Sequence, residues 1–184
     1  EQTNMKTSPL DVITYGEAMT MFVANETGEL DQAMQFTKRI AGAELNVSIG
    51  LSRLGMNVGW VSRVGNDSFG RFTLATLQQE GINHQCVTVD ERFPTGFQLK
   101  SKAENGTDPK VEYFRKGSAA SHLSVHDFDR AYFSQARHLH LSGVAAALST
   151  DSLALANHAA QEMRAMGKTI SFDPNLRPVL WPSQ

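Results

Sequence analysis

"AGAELNVSIGLSRLG", residues 41–55, is the stretch from which the fold can be read. Val47, Leu51 and Leu54 fall at i, i+4 and i+7, Gly50 lies on the same side, and Gly55 is a stop signal, so the spacing predicts a helix over 43–55. A helix with a glycine on its apolar face is expected to pack closely against something flat. Its start is unusual: Gly42 sits between two alanines, and Asn46 occupies the first turn. A glycine at a loop-to-helix junction lets a backbone approach without a Cβ in the way, and the first-turn N–H groups are free to donate. Gly42 is therefore either a simple turn or the resting place of a polyhydroxylated guest. Asn46 is either an exposed polar residue or a partner for hydroxyls, since one short side chain offers both a donor and an acceptor.

On either side of this stretch, strands and helices alternate. "DVITYG" (11–16), "AMTMFVA" (18–24) and "NVGWVSRVG" (57–65) read as strands, and "DSFGRFTLATLQQEG" (67–81) as a helix capped by Asp67 or Ser68 and ended by Gly81. Residues 83–115 change character. Three strand-like pieces, "HQCVTVD", "TGFQLKSKAE" and "KVEYFRKG", are separated by "ERFP" and "NGTDP", which suggests an antiparallel insert. "DFDRAYFSQA" then reads as a helix, "RHLHLSG" as a strand, "STDSLALANHAAQEMRAMG" as a long capped helix and "KTISFDPN" as a strand. The alternation predicts a mostly parallel sheet covered on both faces, with ligands where strands end in glycine or polar residues. After "LRPVLWPSQ" the pattern calls for another helix, so the chain reads as a truncated protein. The four residues ahead of Met5 read as an expression remnant.

With 184 residues, 41% of them hydrophobic, the chain has material for one ordinary core. Its 17 basic and 19 acidic residues form no block of one sign, so nothing points to nucleic acid or an anionic membrane, and a small neutral or anionic partner stays open. No run approaches the roughly 18 apolar residues of a membrane span. The single Cys86 cannot form an internal disulfide and no secretory leader is apparent, so the expected compartment is the cytoplasm. Cys86 reads as a small apolar filler. His138 and His140 share a strand face but lack a third ligand nearby, so their reading is structural and no metal site is predicted. "KGSAAS" (116–121) lacks the spacing of a Walker motif and reads as the start of a short helix.

"AGAELNVSIGLSRLG" followed by "VGWVSRVGNDSFGRF" resembles the N-terminal signature of the ribokinase-like, or PfkB, carbohydrate kinases. "TGFQLK", "VEYFRKGSAAS", "HLHLSG" and "ISFDPNLRPVLW" extend the likeness toward the 2-keto-3-deoxygluconate kinases within that family. Ala41 departs from a second glycine found in many relatives, and Gln98 from a tyrosine. The resemblance implies an αβα sandwich over residues 10–184 with a mostly parallel sheet and a small β-sheet lid, built from segments 17–40 and 92–116, that closes over the sugar and often mediates dimer contact. Where ribokinases and fructokinases end "GEAMTM" (16–21) on an aspartate, this chain has Met21, which is compatible with an anionic sugar.

By the same resemblance, Gly42, Asn46, Gln98, Tyr113, Arg115 and Arg177 would contact the substrate, and Asn175 with Arg177 the phosphates of ATP. A guanidinium suits a carboxylate because it can donate two charge-assisted hydrogen bonds. Read from residues alone, Arg115 is equally one of a solvated "RK" pair, and Arg177 a loop residue after "DPN", in which Asp173 and Pro174 shape the turn. The implied activity is ATP-dependent phosphorylation of 2-keto-3-deoxygluconate to its 6-phosphate, with Mg²⁺. The family's general base lies in a "GAGD"-type motif that does not occur here, so no catalytic residue is assigned and the chain alone is expected to be inactive. Alternatives are another family member such as a fructokinase, or a non-catalytic sugar-acid-binding or dimerising module. A homo-oligomer through the lid is the expected assembly.

Overall fold

A computed structural model describes residues 9–103, 106–176 and 180. In chain order the elements are β1 (Leu10–Tyr15), β2 (Met19–Ala24), β3 (Phe36–Ala41), α1 (Ala43–Arg53), β4 (Val58–Gly65), α2 (Ser68–Gln79), β5 (Asn83–Asp90), β6 (Phe97–Lys100), β7 (Val111–Phe114), α3 (Arg130–Ser134), β8 (Ala136–Ser142), α4 (Gly143–Ala146), α5 (Thr150–Ala165) and β9 (Thr169–Asp173). They form an α/β fold with two separate sheets. The larger is parallel, in the order β5-β4-β1-β8-β9; the smaller is mixed, in the order β3-β2-β6-β7.

Alternation along the central strands sorts side chains to two cores. Ile13, Tyr15, Leu139 and Leu141 join Phe133 of α3 and Leu155, Ala159 and Met163 of α5 on one face. Val58 and Trp60 join Leu45 of α1 and Leu77 of α2 on the other. Both helical layers are needed because β1 and β4 are buried on both sides. The caps follow the sequence: the Gly70 N–H donates to the side chain of Asp67 at 2.8 Å, and Gly81 and Gly167 take positive φ where α2 and α5 have ended.

Two expectations change. The helix at 43–53 does not bury Val47, Leu51 and Leu54; it buries Glu44, Leu45 and Ser48, while Leu54 is 79% exposed and a Cβ on Gly50 would meet nothing within 4 Å. Close packing falls instead at its first turn, around a charged residue that hydrophobic periodicity cannot identify. The insert is also smaller than 83–115: the piece "HQCVTVD" lies in β5, which pairs with β4 at the edge of the large sheet. Nor is the small sheet wholly antiparallel. It joins two antiparallel pairs, β2–β3 and β6–β7, through a parallel contact between β2 and β6.

The small sheet rests on α2. Phe69 lies 5.6 Å from the Phe22 ring of β2 and 5.5 Å from the Phe97 ring of β6, Phe97 stacks on Phe114 at 4.6 Å, and Lys38 of β3 sits 4.1 Å over the ring of Phe72. At the start of α2 a Cβ on Gly70 would lie 2.0 Å from the Gly65 carbonyl oxygen, so the helix can approach β4 only with glycine there. Gly70→Ala is therefore expected to destabilise the fold by about 1–3 kcal/mol through forced overpacking. Gly50→Ala, in open space on a helix, is expected to stabilise it by roughly 0.5–1 kcal/mol. Chemical denaturation of the two variants measures both, and similar values for the pair would refute the packing argument.

Candidate functional site

Strand order in the large sheet reverses at β1, which has β4 on one side and β8 on the other. Loops leaving the two sides diverge at such a point and leave a crevice beyond the carboxyl ends of the strands. Glu17 follows β1 after Gly16 and is 2% exposed. Its Oε1 accepts from Ser118 Oγ at 2.6 Å, and its Oε2 lies 2.5 Å from Arg115 Nη2. That second contact is an ion pair without hydrogen-bond angles, since among the described residues neither Glu17 Oε2 nor Arg115 Nε has a hydrogen-bond partner. Two glycines make room for the pair. A Cβ on Gly96 would fall 2.7 Å from Glu17 Oε1 and 3.3 Å from Arg115 Cβ, and one on Gly42, at φ +152°, would fall 2.6 Å from the Glu17 carbonyl oxygen. The protein's own backbone thus already requires glycine at position 42.

A second carboxylate lies close by. Glu44, 1% exposed, accepts from the Ala145 N–H at 3.0 Å through Oε1, while Oε2 has no hydrogen-bond partner among the described residues and packs where a Cβ on Gly16 would be, 2.4 Å away. Burial pushes the carboxyls of Glu17 and Glu44 above the ordinary range, by more than Arg115 and the neighbouring donors pull them down.

Beyond this buried layer opens a cleft of about 990 Å³. It gathers Gly42 and Asn46 from the start of α1, Gln98 from β6, Tyr113 from β7, Arg115 from the segment leaving β7, and Asn175 from the loop after β9. Arg177 lies outside the described residues. Gln98 and Tyr113 face each other in register, and Met21 pairs with Gln98 from the other side. The Arg115 guanidinium is 5.8 Å from the Tyr113 ring centre and its side chain is 13% exposed. Asn175 adopts φ +37° and donates its N–H to Asp173 Oδ1 at 3.0 Å, so Asp173 shapes the turn that aims this loop.

Sequence reasoning missed four residues. Lys100 and Lys116 also line the cleft, and among its described lining residues the charged side chains are Lys100, Arg115 and Lys116, all basic. Glu17 and Glu44 lie beneath it. The available signals were a carboxylate two residues after a buried strand and another in the first turn after Gly42, neither of which differs locally from a solvated acid. Elsewhere, Ser171 Oγ bridges His138 Nε2 at 2.8 Å and His140 Nδ1 at 2.9 Å, and no group of three or more His, Cys, Asp or Glu among the described residues could hold a metal ion. Cys86 packs against the core with its thiol pushed up to about 11 by burial. Among the described residues no helix is long and apolar enough to cross a membrane.

A family profile described as pfkB family carbohydrate kinase matches residues 10–184. A 2-dehydro-3-deoxygluconokinase from Bacillus subtilis is 49% identical over 95% of this chain and 54% of its own length, so the chain spans about half the length of the curated relatives it matches. A crystal structure of a PfkB protein from Polaromonas superposes with a TM-score of 0.92 at 54% identity, covering 95% of this chain and 58% of that one. An uncharacterized sugar kinase from Pyrococcus horikoshii, solved in complex with ATP, gives a TM-score of 0.84 at 26% identity over 92% of this chain and 55% of that one.

A buried acid with a raised pKa holds its proton in the folded state while the unfolded chain has lost it, so stability declines as pH rises above the ordinary carboxylate range. His138 and His140, pushed down by burial, act in the opposite sense over the same window. The difference between wild type and Glu44→Gln isolates the acid. The variant's stability relative to wild type is expected to grow from pH 5 to pH 8, read as urea midpoints at both pH values.

Proposed function

This chain belongs to the pfkB family of carbohydrate kinases, and from that premise we propose that it is the sugar-binding portion of an ATP-dependent kinase that phosphorylates 2-keto-3-deoxygluconate on its 6-hydroxyl. The observation that carries the substrate is the charge of the cleft, where Lys100, Arg115 and Lys116 face the guest and no acidic side chain does among the described lining residues. A sugar acid gains from that field, whereas a neutral sugar gains little. Met21 occupies the rim position at which a carboxylate would oppose such a guest. The B. subtilis relative is named for the same compound, since 2-dehydro-3-deoxygluconate is a synonym of 2-keto-3-deoxygluconate.

The residues divide the work as follows. Arg115, with one edge held by Glu17, offers the rest of its guanidinium to the carboxylate, and Tyr113 stands beside it as an amphipathic wall. Gln98, 7% exposed, presents an amide to sugar hydroxyls, as does the exposed Asn46. Asn175, in the loop after β9, is assigned with Arg177 to the phosphates of ATP. Glu17 and Glu44 do not line the cleft, so neither is placed to take the proton of the attacking hydroxyl. That base is assigned to the part of the family's length that this chain does not span. ATP supplies the phosphoryl group; among the described residues no group of three or more His, Cys, Asp or Glu could hold its Mg²⁺. The expected setting is the cytoplasm, with copies pairing through the small sheet, whose strand β7 leaves Phe114 47% exposed.

Phosphorylation rates of the full-length protein on 2-keto-3-deoxygluconate and on fructose test this reading. The acid is expected to be the better substrate, and a clear preference for fructose would overturn it. Arg115→Lys keeps the charge but loses the planar fork, so KM for the acid is expected to rise about 10- to 100-fold while fructose turnover changes little.

A further inference from the structure

The Glu17–Arg115 pair poses a problem that the sugar-acid reading, on which this inference rests, does not solve. Arg115 is the cleft cation nearest the buried layer, yet its Nη2 already lies 2.5 Å from a carboxylate that is 2% exposed. A second carboxylate arriving from the cleft would place two anions on one guanidinium whose side chain is 13% exposed, and like charges so close disfavour each other's ionised form. Something must give when the guest binds.

We propose that Glu17 is the proton-linked counter-ion of Arg115: it balances the guanidinium's charge until a sugar carboxylate comes to share that guanidinium, and it then becomes protonated. The geometry suits the exchange. Glu17 Oε1 already receives the Ser118 hydroxyl at 2.6 Å, so the acid stays anchored when its hold on Arg115 is shared. Gly96 leaves both side chains space, and Arg115 Nε has no hydrogen-bond partner among the described residues. The groups facing Glu17 and its partner are few. Arg115 comes from the segment leaving β7 and Ser118 from the turn after it; Gly96 before β6 and Met19 of β2 bring no charge; Glu44 from α1 adds a second carboxylate felt by Arg115. Lys116 and Lys100 lie in the cleft on the guest's side. Burial, which already favours the neutral acid, works in the same direction.

Glu17 thereby acts as a positioning and selectivity residue. It keeps a deeply set arginine from being an unpaired charge, and it makes binding of an acid depend on pH while leaving binding of an uncharged analogue indifferent to it.

Calorimetric titration of the full-length protein with 2-keto-3-deoxygluconate, in buffers of different ionisation heat, measures protons exchanged on binding. The methyl ester of the acid serves as the uncharged control. Wild type is expected to take up a fraction of a proton with the acid and none with the ester, and to bind the acid more tightly as pH falls from 8 to 6. Glu17→Gln, which keeps shape and removes charge, is expected to abolish the uptake and to bind the acid about tenfold more tightly at pH 8. Acid binding without proton uptake overturns the inference and leaves the substrate reading intact, as does a variant that weakens acid and ester alike. Failure of the wild type to bind the acid removes both. The wild-type uptake decides the question even if the variant does not fold.

Discussion

The two sheets of this protein meet at one buried carboxylate. Chain leaves the large sheet through Gly16 and Glu17, returns at Gly42, leaves again through Pro94 to Gly96, and comes back through Arg115 to Ser118. The Glu17 side chain or carbonyl touches each of the other three passages: Gly42 packs on its carbonyl oxygen, Gly96 on its Oε1, and Arg115 and Ser118 take its carboxylate. Removing one member of a buried ion pair leaves the other charge without a partner, and this typically costs several kcal/mol. Around such a point side chains larger than glycine have no room, which explains why Gly42 and Gly96 are bare. The position of the small sheet, and with it the shape of the cleft, follows from this junction.

The electrostatics are layered. Beneath the cleft lie two carboxylates removed from water; at its surface lie three basic side chains. Arg115 belongs to both layers, and its effective charge toward a guest is smaller than a full unit because Glu17 offsets part of it. This is a different device from a row of surface lysines, whose attraction is screened within about 8–10 Å at ordinary ionic strength. A half-neutralised, oriented guanidinium recognises at short range and by geometry.

Much of the fold was legible in the sequence. Strand runs such as "DVITYG" and caps such as Asp67 carry their own signals, and Gly81 marks the end of α2 by taking φ +68°. The α1 face was misread because its fully buried positions are Glu44, Leu45 and Ser48, only one of them apolar, while Ile49 and Leu51 pack against the core partly buried. β5 looked like part of an insert because an edge strand alternates polar and apolar residues as an exposed hairpin does. The six described site residues, drawn from positions 42 to 175, line one cleft. Their inner partners were not legible: Glu17 and Ser118 are 101 positions apart, and nothing local in "GEAM" distinguishes a buried acid from a solvated one.

The ring cluster on α2 has a mechanical meaning for the small sheet. Phe69 meets Phe22 at 66° and Phe97 at 49°, and edge-on or tilted aromatic contacts of this kind are attractive over a broad range of angles but lose their attraction once the rings separate. The sheet is thus pinned to the helix beneath it through Phe69 and Phe72, and lifting it away would separate every one of these ring contacts at once.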